Sequence, residues 1–106
     1  MRTSFGGQAL HHNALPSRLI RKVALCGGAG DFLLDAAIRQ QADAFLTGEM
    51  GYHRYFGHED EILIGVLGHY QSEQFTIQLM QRILHEALPD LRTVVTGENT
   101  NPIHTV

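Results

Sequence analysis

The sequence predicts an α/β fold, a two-layer or three-layer sandwich around a mostly parallel, mainly four-stranded sheet, and three observations predict it. Short apolar runs recur along the 106 residues, and most stop at a glycine. Between them lie stretches whose apolar residues repeat at intervals of three and four, the period of a helix laid on a layer. The two patterns alternate, which is the order expected of parallel α/β units.

Residues 1–17 lack periodicity and contain Gly6, Gly7 and Pro16, so they read as an irregular lead-in or a strand remnant. Residues 18–106 read as a single α/β domain. Ile20 to Cys26 ends in Val23-Ala24-Leu25-Cys26, a continuous apolar run suited to a strand covered on both faces. Gly27-Gly28-Ala29-Gly30 stops it. From Asp31 to Gln41, apolar Phe32, Leu33, Ala36, Ala37 and Ile38 face away from Asp35, Arg39 and Gln40, which describes a short amphipathic helix. Ala44 to Thr47 forms a second strand closed by Gly48, and Gly51 to Glu59 is an aromatic and histidine-rich stretch of weak helical character. Ile62 to Leu67 is the clearest strand, β-branched and apolar, and it stops at Gly68-His69. A long helix over residues 70–88 follows, with Phe75, Leu79, Met80, Ile83, Leu84, Ala87 and Leu88 as its apolar stripe and Pro89 beyond its end. Arg92 to Thr96 reads as a last strand before the tail.

Composition narrows the function classes. Eight Lys and Arg against eleven acids give a net charge of −3, the wrong balance for a dedicated nucleic-acid-binding surface. The short cluster Arg18, Arg21 and Lys22 is better read as a solvated lead-in to a strand than as a phosphate clamp. A lone cysteine, Cys26, cannot form an internal disulfide, and its apolar setting points to a reducing compartment, the cytoplasm. The longest apolar run, Ile62 to Gly68, is far short of the roughly 20 residues that span a bilayer, so no membrane partner is expected.

The chemistry is expected at the glycine-bearing segments that follow the strands: Gly27 to Asp31, Thr47 to Glu49, Gly68 to Tyr70 and Thr96 to Asn99. In a parallel sheet these share one edge, and ligand sites of open α/β sheets lie outside that edge. The sharpest of them is Gly68-His69-Tyr70-Gln71-Ser72-Glu73. If a helix starts there, His69 and Glu73 lie one turn apart on one face and can reach a common cation, where imidazole and carboxylate suit zinc, manganese or iron. An exposed polar pair at a helix start is the plainer alternative. Gly27 to Gly30 has the look of a phosphate cradle, but no P-loop lysine or dinucleotide fingerprint accompanies it, and a tight turn explains it as well. Glu49 and His53, four apart with Tyr52 between, fit proton transfer or hydrogen bonding to ligands, or else a surface turn with an aromatic anchor. His11 and His12 lie in the lead-in, His58 and His85 in charged stretches, and His104 in the tail. No serine sits in a nucleophile elbow.

The order and spacing of Val23 to Gly30, Ala42 to His53, Gly68 to Glu73 and Thr100 to Ile103 resemble the Nif-three-like family, also described as GTP cyclohydrolase type 2-like, over roughly Ala9 to Ile103. The match is to its carboxyl-terminal half. The resemblance implies two divalent metals held between two α/β halves, and assembly of copies into ring-shaped homo-oligomers. It also implies that His69 and Glu73, in a Gly-His-Tyr-x-x-Glu motif, ligate metal. Glu49 and His53 become the catalytic candidates, and His12, Gly28 and Tyr70 the candidates for outer contacts or substrate. The family's remaining ligands, a histidine pair and an aspartate, come from an amino-terminal half that has no counterpart in these residues. The implied function is a metal-dependent hydrolase acting on a nucleotide, incomplete without that half. The alternative is a non-catalytic metal-binding assembly or regulatory module.

Overall fold

The computed structural model describes residues 9–14 and 17–106. It divides into two compact units, the first ending at Glu73 and the second beginning at Gln74. Gly6, Gly7 and Pro16 of the expected irregular lead-in lie outside the described residues.

The first unit is built on strands β1 (His11–His12), β2 (Val23–Ala29), β3 (Ala44–Glu49) and β4 (Leu63–Val66), in the spatial order β1-β4-β3-β2. The pairings of β2 with β3 and of β3 with β4 are parallel, whereas β1 runs antiparallel to β4. The sheet is therefore mixed, with an antiparallel edge on a parallel body. Its fourth strand is not the expected Arg92 to Thr96 but His11–His12, drawn from the lead-in. The Asn13 side chain secures that edge by donating to the Ile62 carbonyl at 2.9 Å and accepting from the Ile64 amide at 2.8 Å. Residues 92–96 are in no strand, and Val94 is 83% exposed. A β-branched run becomes a strand only where a neighbour takes up its amides and carbonyls, and among the described residues none does.

A buried cluster of Leu34, Ala37, Ala42, Phe45, Ile62 and Ile64 lies against one face of the sheet, with Ala24, Cys26, Ile38, Met50, Tyr55 and Val66 packed on it. The registers Ala24–Phe45–Ile64 and Cys26–Thr47–Val66 explain the membership, because residues two apart on neighbouring strands share a face. The helical layer is shorter than the sequence pattern implies. Asp31–Leu33 is a 3-10 turn and α1 spans only Leu34–Arg39, so Leu34 and Ala37 face the core while Phe32 is left outside. Gln41, at φ 57°, ends this layer in the left-handed region. The expectation that β2 is covered on both faces also fails: it is an edge strand, and Val23 and Leu25 are exposed.

Asp43 accepts the amides of Arg21 at 2.9 Å and Lys22 at 2.8 Å, with the Arg18 guanidinium 3.6 Å away, and so joins the start of β2 to the start of β3.

The expected 70–88 helix is two helices. Its first part, α2 (His69–Glu73), belongs to the first unit, and a turn at Gln74 and Phe75 separates it from α3 (Thr76–Ala87). In the second unit the Thr93 hydroxyl accepts from the Gln81 amide and meets His85 Nε2, which ties the following segment to the polar side of α3. No helix among the described residues is long and apolar enough to cross a membrane.

Candidate metal centre

The parallel register brings the carboxyl ends of β2, β3 and β4 to one edge, and each end delivers one part of the site. Gly68, at φ 98°, lets the chain leave β4 sharply, so α2 begins at His69. Four residues on, Glu73 lies on the same face: His69 Nε2 is 3.2 Å from Glu73 Oε2. The other ring nitrogen, Nδ1, donates to Glu49 Oε1 at the end of β3, at 2.8 Å. One imidazole thus stands between two carboxylates. Their side chains are about half exposed. The Glu49 hydrogen bond first, and then the neighbouring Glu73 and Glu49 charges, push the His69 pKa above its ordinary value against the opposing effect of desolvation.

Gly28 shapes the space beside the pair. It sits at φ +67°, and a Cβ built there would fall 2.5 Å from Glu73 Oε1 and 3.3 Å from His69 Nε2. Only a residue without a side chain leaves these two groups their present positions. Two amides of the glycine loop are taken up within the protein, as a tight turn requires: Gly28 N–H donates to Ser72 Oγ at 2.9 Å and Gly30 N–H to Thr47 Oγ1 at 2.9 Å. The Thr47 hydroxyl in turn donates to the Gly28 carbonyl at 3.1 Å, and Ser72 Oγ donates to the His69 carbonyl at 2.8 Å. Thr47 and Ser72 therefore hold the loop against the other two strand ends. The sequence reading missed both; the signal was a hydroxyl directly before a strand-end glycine and another inside the His-Tyr-x-x-Glu stretch.

Not every candidate joins the cluster. His53 is exposed in the 3-10 turn Tyr52–Tyr55, where its ring contacts Tyr52 and makes no hydrogen bond to the His69 group. His12 is exposed on β1 and its Nδ1 meets the neighbouring Asn13 carbonyl. Tyr70 is half-buried in α2. Thr96 to Asn99 follows no strand and belongs to the second unit; within the first unit three segments build the sheet edge.

The donor chemistry fits a divalent cation in part. Adjacent ligands on a tetrahedral or octahedral ion with bonds of about 2.1 Å lie roughly 3.0–3.4 Å apart, and the His69 and Glu73 donor atoms are 3.2 Å apart. Glu49 takes the orienting place on Nδ1 that carboxylates commonly hold behind ligating histidines. Among the described residues, no group of three or more His, Cys, Asp or Glu side chains is arranged to hold a metal ion.

A mixed α/β sheet with an imidazole–carboxylate pair at its carboxyl edge defines the class. Comparison with known proteins narrows it further. The family model of Duf34/NIF3 (NGG1p interacting factor 3) matches residues 1–102, and the chain belongs to that family. Two proteins named GTP cyclohydrolase 1 type 2 homolog are similar to it. The one from Archaeoglobus fulgidus is 39% identical over 70 residues, covering 65% of this chain and 29% of the relative. The one from Lactococcus lactis is 31% identical, covering 100% of this chain and 42% of the relative. The chain thus spans less than half the length of these relatives. Staphylococcus aureus protein SA1388 shares the fold at a TM-score of 0.79 and 17% identity, over 99% of this chain and 36% of that one. A Bacillus cereus protein related to NIF3 does so at 0.72 and 22%, over 99% and 30%.

Proposed function

We propose that the chain is the carboxyl-terminal portion of a metal-dependent hydrolase acting on a nucleotide, and that His69 and Glu73 supply two ligands to a dinuclear site completed by residues outside this segment. The observation that carries the reading is His69 Nε2 held 3.2 Å from Glu73 Oε2 while Glu49 occupies Nδ1. Bound divalent ions would supply charge stabilisation and activation of water at neutral pH. The chain's own residues would do the rest. Glu49 keeps the imidazole turned so that Nε2 faces Glu73, Gly28 leaves the space beside them open, and Thr47 and Ser72 hold that loop in place. Glu49, half exposed at the strand end, is also the group best placed to exchange a proton with solvent or substrate. The names of the similar proteins support a nucleotide as the substrate class.

Metal uptake tests the reading. The longer protein that contains this segment, dialysed against manganese or zinc, is expected to retain metal in proportion to protein, and both His69→Ala and Glu73→Gln are expected to lose most of it. Equal retention by the wild type and both variants would end the proposal. The other reading, a metal-binding assembly or regulatory module without catalysis, gains from the small donor set and from α3, whose Leu79, Met80 and Ile83 are exposed. Retained assembly of the longer protein after both substitutions would favour it.

A further inference from the structure

Three aromatic residues, Tyr52, Tyr55 and Phe56, follow Glu49 within one short segment, and they are treated very differently by the fold. Tyr55 packs against the core cluster, and burial pushes its phenol pKa above the ordinary value. It is the anchor of the segment. Tyr52 is 72% exposed and Phe56 58% exposed, although nothing in the anchoring needs them. They are nevertheless ordered relative to each other. The rings of His53 and Phe56 stand edge-on to Tyr52, with centroids 5.4 and 5.2 Å away and interplanar angles of 73° and 80°.

The turn carrying this group is tied to the rim of the site. The Arg54 guanidinium donates to the Asp31 carbonyl at 3.2 Å and lies 3.6 Å from the Asp35 carboxylate. Asp31 closes the same glycine loop whose Gly28 faces Glu73. From the other side, Tyr52 is three residues from Glu49, a separation of at most about 11 Å along the chain. A nucleoside monophosphate can bridge that span. Large aromatic surface left in water beside a polar site is the usual form of a stacking platform for planar heterocycles.

We propose that Tyr52, steadied by Phe56 and His53, is a ledge on which the heterocyclic base of a nucleotide stacks, making it a positioning residue for the site at Glu49, His69 and Glu73. The choice of a nucleotide rests on the function proposed above. Tyr52→Ala should leave the fold intact, because the side chain is mostly in water.

Calorimetric titration of the full chain with guanosine 5′-monophosphate, and with ribose 5-phosphate as the probe lacking a base, tests the ledge. Tyr52→Ala is expected to weaken the nucleotide about five- to hundred-fold, the loss of one base–aromatic stack, and to leave the sugar phosphate unchanged. Tyr52→Phe should restore nucleotide affinity to within about two-fold, because the ring face rather than the hydroxyl does the stacking. The chain has no tryptophan, so quenching of tyrosine emission by the nucleotide, lost in Tyr52→Ala, reads the contact directly. Unchanged nucleotide affinity in Tyr52→Ala, an equal loss for both probes, or a wild-type chain that binds no nucleotide would overturn the ledge. The two proposals fail separately. Metal uptake without nucleotide binding removes the ledge alone, and Tyr52-dependent nucleotide binding without metal uptake removes the metal reading alone.

Discussion

Replacing Gly28 with alanine separates backbone strain from site geometry at one position. The residue sits at φ +67°, where an L side chain costs about 1–2 kcal/mol, a factor of about 5–30 in the ratio of folded to unfolded chain. The added methyl would also lie 2.5 Å from Glu73 Oε1 and 3.2 Å from its Cδ. Glu73 is the end of a flexible, half-exposed side chain, so it is expected to swing away while the loop stays bound to Thr47 and Ser72. The stability loss should therefore stay near the backbone value, read as a shift of the urea midpoint without a change of slope. The clash should appear elsewhere. With Glu73 displaced, the His69 pKa measured by NMR titration falls towards its ordinary value but stays above it, because the Glu49 hydrogen bond is the largest cause of the elevation and remains. In a Glu73→Ala background the same glycine substitution should move the His69 titration much less, because the group it displaces is gone and only the methyl's own 3.3 Å approach to His69 Nε2 remains. A His69 titration indifferent to Gly28→Ala in the wild type, or shifted equally in both backgrounds, would refute the reasoning.

Two further substitutions probe what holds the site. Thr47→Val removes the acceptor for Gly30 N–H and the donor to the Gly28 carbonyl in a buried setting, and should cost about 1–3 kcal/mol, most of it recovered by Thr47→Ser; equal midpoints for valine and serine would contradict this. At Asp43, the amides of Lys22 and Arg21 hold the carboxyl below its ordinary value of 3.8, so the folded state binds its proton less readily than the unfolded chain. The resulting stability is present above the unfolded pKa and is lost as pH falls from there through the lowered folded value. Asp43→Asn should thus flatten the acid limb of a stability-against-pH curve, and an unaltered limb would show that these hydrogen bonds contribute nothing.

Much of the site's local grammar was legible. The i, i+4 placement of His69 and Glu73 needs only a helical turn after Gly68, and apolar runs locate β2, β3 and β4, although β2 continues through Gly27 and Gly28 to Ala29 and β3 through Gly48 to Glu49 instead of stopping at those glycines. Within Asp31 to Gln41 a 3-10 first turn advances the chain by a different angle per residue from an α-helix, which puts Leu34 rather than Phe32 against the core. Across Gln74 and Phe75 the apolar spacing of residues 70–88 continues, although the helical backbone does not.

What the sequence determined by itself is therefore whatever depends on neighbours within a few positions: the apolar runs of β2, β3 and β4, the turn at Gly68, and one imidazole–carboxylate pair on one helical turn. The tertiary structure alone decided that His11–His12 joins the sheet and residues 92–96 do not, that β2 lies at an edge, and that Glu49, twenty positions from His69, takes its second nitrogen. The physical reason is that a hydrogen bond between distant segments depends on register and strand order. These follow from which surfaces pack together, and no short stretch of sequence contains that information.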